Sequence, residues 1–256
     1  MSQSESVKDA SVANELWAVV PAAGSGSRLP SANPKQYLPL KDRCILQRSI
    51  DTLLDIKNIK GIVVVLSKED TLWTQLAASK HSKVLTTFGG KTRAESVAAG
   101  LAVVCEQSQN DNAMVLVHDA ARALTAASDI YRLVDRVMYA PEHGGLLATK
   151  VQDTLKRENP DTANVEISAE IKSTVTRDGL WNAQTPQMFR ARLLRDALVE
   201  NADAVARGEI TDEACAMEKA GYAPALVEAL CPNFKITHTR DLDMALALVE
   251  SSERCA

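Results

Sequence analysis

Apolar residues arrive along this chain in short blocks, with amphipathic stretches between them. Leu16 to Val20, Gly61-Ile62-Val63-Val64-Val65-Leu66 and Met114-Val115-Leu116-Val117 are unbroken apolar runs, the pattern of strands buried on both faces. Leu146-Leu147-Ala148 is a shorter run of the same kind. Between the first two runs, Ile45, Leu46, Ile50, Leu53 and Leu54 fall on one helical stripe. Ala94, Val97, Ala98, Leu101 and Val104 repeat it at i, i+3, i+4, i+7 and i+10. Further on, Phe189, Leu193, Leu194 and Ala197 predict a helix. Thr211 reads as the N-cap of another, with Asp212 and Glu213 in its first turn and Gly221 at its end. Asp241 to Val249 predicts a final amphipathic helix capped by Thr239 or Asp241. Strands alternating with helices imply a mostly parallel sheet covered on both faces. Ligands of such sheets sit at the carboxyl ends of the strands.

One segment breaks the rhythm. Residues 150–178 are polar and charged, and two alternating pieces, Val151 to Lys156 and Ile171 to Thr176, predict an antiparallel ribbon turning through Glu158 to Asn164. A lone two-stranded ribbon is marginal in water, so it needs something to pack on, and a second subunit is the economical choice. The rest, 15–250, reads as one domain with this arm inserted. Residues 1–14 and 251–256 read as tails.

Composition narrows the classes. A formal net charge of −4 and a pI near 5.7 argue against a general nucleic-acid binder, whose basic surface dominates, but leave room for an anionic small molecule. No apolar run approaches the roughly 20 residues of a membrane span. The first 14 residues lack an apolar signal core and carry Glu5 and Asp9. The five cysteines form no C-x-x-C pair, which suits reduced thiols in a cytoplasmic protein.

The stretch Pro21-Ala22-Ala23-Gly24-Ser25-Gly26-Ser27-Arg28-Leu29, followed by Pro34-Lys35-Gln36-Tyr37, leaves the first strand. Small residues there let backbone N–H groups approach a phosphate, and Arg28 and Lys35 add two cations. A dinucleotide fingerprint fails because its sixth position is Leu29, and a Walker A reading of Gly90-Lys91-Thr92 fails because its first glycine would fall at Leu85. A plain turn remains the alternative for Gly-Ser-Gly alone. Gly89-Gly90 after Val84-Leu85, with Arg93 and Ser96 opening the next helix, suits close approach to a base or sugar, or merely a strand-to-helix turn. Asp119, in His118-Asp119-Ala120-Ala121-Arg122 at the end of a strand, suits a ribose hydroxyl or a metal-bound water, or a helix cap. His118 reads as structural, and Arg177 and Lys235 read alone as surface charges. No nucleophile–base arrangement emerges. A phosphate monoester, already anionic, supplies its own nucleophile, so positioning and cations suffice.

Seven motifs in order carry a family resemblance: Pro21-Ala22-Ala23-Gly24-x-Gly26-x-Arg28; Pro34-Lys35-Gln36-Tyr37; Gly89-Gly90-x-x-Arg93-x-x-Ser96-Val97; Val117-His118-Asp119-Ala120-Ala121-Arg122; Asp153-Thr154-x-Lys156; Gly179-Leu180-Trp181-x-x-Gln184-Thr185-Pro186-Gln187; and Thr211-Asp212-Glu213-Ala214. Together they resemble the 2-C-methyl-D-erythritol 4-phosphate cytidylyltransferases. The resemblance implies a three-layer, Rossmann-like nucleotidyltransferase fold with a protruding β-arm. It also implies transfer of CMP from CTP to the sugar-alcohol phosphate, releasing pyrophosphate, in the non-mevalonate isoprenoid pathway. Mg2+ is expected, held mainly through the CTP phosphates, with its protein ligands open. A homodimer interlocked through the arms is expected too.

By resemblance, Arg28 and Lys35 stabilise the pentacoordinate α-phosphate, while Arg177 and Lys235 position the attacking phosphate. Thr154 and Arg177 reach the neighbouring subunit's site. Ala22, Ala23, Gly89 and Ser96 read cytosine. Asp119, Ala120 and Arg122 line the ribose and methylerythritol pocket, and Gly24, Gly26, Gly90, Arg93 and Thr185 belong to the substrate-binding set.

Some positions depart from the family pattern: Ala123 stands where proline often follows the Asp-Ala-Ala-Arg run, Ser27 where a second basic residue often precedes the loop arginine, and Thr237-His238-Thr239-Arg240 in place of a Thr-Arg-Pro-like stretch. A ribitol 5-phosphate cytidylyltransferase is the nearest rival, although such enzymes more often show Ala-Gly-Gly where this chain has Ala22-Ala23-Gly24. A catalytically silent nucleotide-binding subunit is the rival of another class, and retention of all four cations argues against it.

Overall fold

The three unbroken apolar runs lie side by side at the centre of one sheet. The structure is a computed structural model that describes residues 15–24, 33–160 and 170–254. Among them the chain begins with β1 (Leu16–Pro21), a small hairpin of β2 (Pro39–Leu40) and β3 (Arg43–Cys44), α1 (Ile45–Leu54) and β4 (Ile59–Leu66). It continues through β5 (Val84–Phe88), α2 (Arg93–Gln107), β6 (Met114–Val117), α3 (Ala127–Tyr139) and β7 (Gly145–Lys150). Then come β8 (Leu155–Glu158), β9 (Ile171–Val175), β10 (Trp181–Arg190), α4 (Ala191–Glu200), α5 (Ala202–Ala206), α6 (Glu213–Lys219), β11 (Ala225–Glu228) and α7 (Thr239–Arg254).

The main sheet has the order β11-β7-β10-β6-β1-β4-β5. Its neighbours are parallel except around β10, which runs antiparallel to both β6 and β7. Alternate residues of the central strands feed two cores, as the period of two requires. Ala18, Val20, Ile62, Val64, Met114 and Leu116 pack with Leu46, Ile50 and Leu53 of α1 and with Ile130, Leu133 and Val137 of α3. Val19, Val63, Val65, Val115 and Val117 pack on the other face with Val97, Leu101 and Val104 of α2 and Leu194 and Leu198 of α4. The expected three layers are therefore present. A smaller cluster of Leu40, Ile45, Ala123, Ile236, Ala245 and Val249 seats α7 against the β2–β3 hairpin. Ala123, where the family often has proline, is thus part of this core.

Several local expectations are corrected. Phe189 belongs to β10, fully buried beneath the sheet, and α4 starts at Ala191. Its spacing to Leu193 matched a helix only because a strand residue happened to precede one. Asp212, not Thr211, caps α6, its carboxylate accepting from Cys215 N at 2.9 Å. Gly221 does end that helix, at φ +88, where a side chain would be strained. Thr239 is the first residue of α7, and Asp241 holds its start by accepting from Thr237 N and His238 N at 2.9 and 2.8 Å. Helix α3 and strands β10 and β11 carried no distinct expectation.

The ribbon exists as β8 paired antiparallel with β9, as a separate two-stranded sheet. Its first strand begins at Leu155 rather than Val151, and the predicted turn lies in part outside the described residues. Leu155 pairs with Val175, Lys156 Nζ donates to Thr174 Oγ1 at 2.7 Å, and Ile171 is 64% exposed.

Candidate active site

The order of the strands sets the site. β1 lies between β4 and β6, so a crevice opens at its carboxyl end where the connections diverge. One cavity fills it, lined by Ala22, Ala23 and Gly24 after β1, by Lys35 and Gln36, and by Gly90, Arg93 and Ser96 at the start of α2. Asp119 and Ala120 after β6, with Lys235, close it. Arg93, Asp119 and Lys235 also line an adjoining groove with Arg122 and Thr185.

The floor is an ion-pair network. Arg93 Nε donates to Asp119 Oδ1 at 2.9 Å, and its two terminal nitrogens fork onto Glu213 at 2.6 and 3.0 Å. Lys235 Nζ lies 2.9 Å from Asp119 Oδ2, with Arg122 Nε 3.7 Å from the same oxygen. These three cations and two carboxylates leave the cluster net positive, as a site for anions needs. Burial opposes the charge on Asp119, but Arg93, Lys235 and Arg122 prevail and hold its carboxyl well below the usual range. Burial likewise opposes the charge of Arg93, and Glu213 and Asp119 reverse that and raise its pKa. On Glu213 burial prevails, and the carboxyl stays above its ordinary value in spite of Arg93.

Each charged group is held by its own element. Arg93 opens α2 behind a reciprocal cap: Thr92 Oγ1 accepts from Glu95 N while the Glu95 carboxylate accepts from Thr92 N and Lys91 N. Asp119 N donates to Thr185 Oγ1 at 3.0 Å, and buried Asn233 ties the neighbourhood together. Its side-chain nitrogen donates to the Thr185 carbonyl at 2.9 Å, and its own carbonyl accepts from Arg122 Nη1 at 2.6 Å. Ile236 N donates to the Ala121 carbonyl at 2.9 Å, which lays the Lys235 segment along the end of β6. Lys35 Nζ donates to the Ile236 carbonyl at 3.4 Å.

These residues match the model of a known family, described as IspD, 2-C-methyl-D-erythritol 4-phosphate cytidylyltransferase, over residues 16–251. The chain belongs to this cytidylyltransferase family. A 2-C-methyl-D-erythritol 4-phosphate cytidylyltransferase of Vibrio vulnificus is 45% identical over 231 residues, 90% of this chain and 92% of that one. One of Pseudomonas aeruginosa is 44% identical over 230 residues, 89% and 93% of the two chains. The crystal structure of the Francisella tularensis enzyme of that name superposes with a TM-score of 0.75 at 30% identity, covering 91% of this chain and 98% of that one. Cytidylyltransferases are nucleotidyltransferases, so the chain is an enzyme of that class.

Against the family's motifs, the structure brings Ala22, Ala23, Gly24, Lys35, Gly90, Arg93, Ser96, Asp119, Ala120 and Lys235 to one cavity, and Arg122 and Thr185 to its neighbour. Arg28 and Gly26 lie outside the described residues. Thr154 and Arg177 are exposed and line neither space within this chain. Arg177 instead sits at the root of the arm beside Lys150, Asp178 and Trp181, donating to the Gln152 carbonyl.

Two glycine readings are refined. A Cβ on Gly89 would come within 2.5 Å of Ser96 Oγ and 2.7 Å of the Ala23 Cβ, so that glycine lets the ends of β5 and β1 close on each other. A Cβ on Gly24 would meet nothing within 4 Å, leaving its exposed face to a ligand. Both oxygens of Asp119 face cations, Arg93 at one and Lys235 and Arg122 at the other. Glu213, Asn233 and Gln36 were missed as functional partners. Glu213 and Gln36 stand inside quoted motifs, but only the fold reveals what each side chain touches.

His118 is structural. It is buried, with Nδ1 3.2 Å from Thr185 Oγ1 and, among the described residues, no hydrogen-bond partner for Nε2. Burial pushes its pKa down from 6.5 to about 4. The unfolded chain therefore takes up a proton near pH 6.5 that the folded protein refuses until about pH 4. Stability should fall across that window as pH drops, by about 3 kcal/mol in all. Chemical denaturation at intervals between those pH values checks this, and His118→Gln should flatten the curve there.

Proposed function

We propose that this enzyme transfers CMP from CTP to 2-C-methyl-D-erythritol 4-phosphate and releases pyrophosphate. The observation that carries the proposal is the cavity at the end of β1, whose lining brings together Ala22, Ala23, Gly24, Lys35 and Lys235, the last held on Asp119. A phosphate monoester brings its own anionic nucleophile, so the chain need not provide a base. Its work is to align the two phosphates and meet the charge that grows on the α-phosphoryl oxygens. The N–H groups beside Gly24 and the Lys35 ammonium, with Arg28 joining them by family resemblance, serve the nucleotide. Lys235 and Arg177 serve the attacking phosphate.

Magnesium fits this reading as a companion of the triphosphate. Among the described residues no three His, Cys, Asp or Glu side chains gather into a metal cage, and Asp119 is engaged by cations. Mg2+ keeps much of its water and favours substrate phosphates over all-protein cages. Bound there, it would neutralise charge on the phosphoryl groups.

The arm is the reason to propose a homodimer. Its strands bury little of their own surface, and Arg177 and Thr154 lie apart from the cavity of their own chain. A partner's arm would complete each site. Mixing separately inactive Lys35→Ala and Arg177→Ala proteins under subunit exchange tests this. One of the two sites in each heterodimer then carries Lys35 from one chain and Arg177 from the other, so activity should return. No recovery despite heterodimer formation would place Arg177 in its own chain's site. The cytoplasm, with its reduced thiols and CTP, is the setting this function suits.

The function itself is tested by pyrophosphate release from CTP with methylerythritol phosphate and ribitol phosphate offered side by side. Preference for the first is expected. Equal or better use of ribitol phosphate would overturn the substrate assignment, and no release with either would point to a nucleotide-binding subunit.

A further inference from the structure

The segment that leaves β1 has a chemical polarity that its own sequence does not explain. Ala22 N is taken by the Val65 carbonyl of β4 at 2.8 Å. Beyond it, Gln36 reaches in from a one-turn helix over Lys35–Tyr37, 95% buried, and its side-chain nitrogen donates both protons to this segment. One goes to the Ala22 carbonyl at 2.8 Å and the other to the Gly24 carbonyl at 3.2 Å. Both partners are acceptors, so the amide nitrogen rather than its oxygen must face them. Carbonyl and N–H point in opposite directions across a trans peptide. Turning the Ala22 carbonyl onto Gln36 therefore turns the Ala23 N–H the other way. Among the described residues neither Ala23 N–H nor Gly24 N–H has a hydrogen-bond partner.

We infer that Gln36 is a positioning residue that gives the nucleotide loop its anion selectivity: it absorbs the loop's acceptors and leaves donors toward the cavity. A loop free to flip either peptide would present a carbonyl oxygen to a phosphate, and the two would repel. The same short turn fixes Gln36 firmly. On one side Lys35 Nζ reaches the Ile236 carbonyl, and on the other Tyr37 OH donates to Asp70 Oδ2 at 2.6 Å. Loop shape and the Lys35 cation are thus set by adjacent residues of one turn, which accounts for their appearing together in the motif.

This inference rests on the proposed nucleotide chemistry, and its test separates the two. Gln36→Met keeps the length and packing of the side chain and removes both donors. Calorimetry with CTP, pyrophosphate and cytidine should show at least tenfold weaker binding of CTP and pyrophosphate and little change for cytidine. In turnover, KM for CTP should rise at least tenfold while KM for the phosphate acceptor moves less than threefold. Equal losses for cytidine and pyrophosphate would mean a merely structural role, and unchanged pyrophosphate binding would overturn the inference outright. Failure of wild-type turnover with pyrophosphate binding intact would instead count against the proposed reaction. Should the variant not fold, the wild-type protein still decides: both Gln36 side-chain amide protons should exchange slowly by NMR, and fast exchange would contradict the two hydrogen bonds.

Discussion

Lys35→Ala should lower kcat by about 10²–10³-fold, a loss of about 3–4 kcal/mol of transition-state stabilisation. The expectation follows from where the ammonium sits. Lys35 lines the cavity beside the Ala22–Gly24 backbone, and its ammonium donates to the Ile236 carbonyl at 3.4 Å. That bond helps to hold the cation at the cavity wall. A phosphoryl group under attack gathers negative charge on its equatorial oxygens, and a fixed cation is worth more there than in the ground state. The loss should therefore fall on kcat more than on KM for CTP. Steady-state kinetics on Lys35→Ala and Lys35→Arg check it. If Lys35→Ala turned over within a few-fold of wild type, the transition-state role would be wrong.

The second large effect concerns stability. Arg93→Met should destabilise the fold by about 3–5 kcal/mol, because removing one member of a buried ion network leaves the others uncompensated. At about 2–4 °C per kcal/mol for a domain of this size, Tm should fall by roughly 6–20 °C. Glu213 is the group most affected. It is 2% exposed, and its carboxyl is already raised by burial with Arg93 present. Without Arg93 its pKa in the folded state rises further above that in the unfolded chain. A group raised in this way binds more protons folded than unfolded, so the variant should regain stability relative to wild type as pH falls. Thermal unfolding of both proteins between about pH 8 and pH 5 measures this. A deficit that stayed constant with pH would mean that Glu213 finds another partner.

Much of this arrangement was legible in the chain because buried parallel strands are apolar on both faces. The runs at Leu16, Gly61 and Met114 announced β1, β4 and β6 for that reason, and the stripes at Ile45 and Ala94 announced α1 and α2. β10 was harder to read. It crosses from the exposed arm root into the core, so its first residues are exposed or half-buried while Thr185 to Phe189 are buried, and Phe189 was absorbed into the helix that follows. The cap of α6 shifted because Thr211 stands beside an aspartate that is better placed to accept the free N–H group, whereas Asp241, one of the two candidates for α7, does hold that helix's start.

The site divides in the same way. Residue types with chemistry of their own (the loop small residues, Lys35, Asp119, Arg122) were visible as motifs. Their supports were not. Glu213 meets Arg93 across 120 residues, and Asn233 meets Thr185 across 48. No local spacing encodes such pairs. Arg177 and Lys235 show the limit most plainly, because a lone cation in a polar stretch looks like surface. Lys235 acquires meaning only when Ile236 pairs with Ala121 and brings it to Asp119.

The central claim is that the phosphate of the acceptor attacks the α-phosphorus of CTP. Methylerythritol phosphate bearing heavy oxygen on its phosphate, incubated with CTP and followed by phosphorus NMR, tests it most directly. The account predicts that one labelled oxygen becomes the bridge to the CMP phosphorus, shifting that resonance, while the pyrophosphate released carries no label. An unshifted CMP phosphorus, or label in the pyrophosphate, would contradict it.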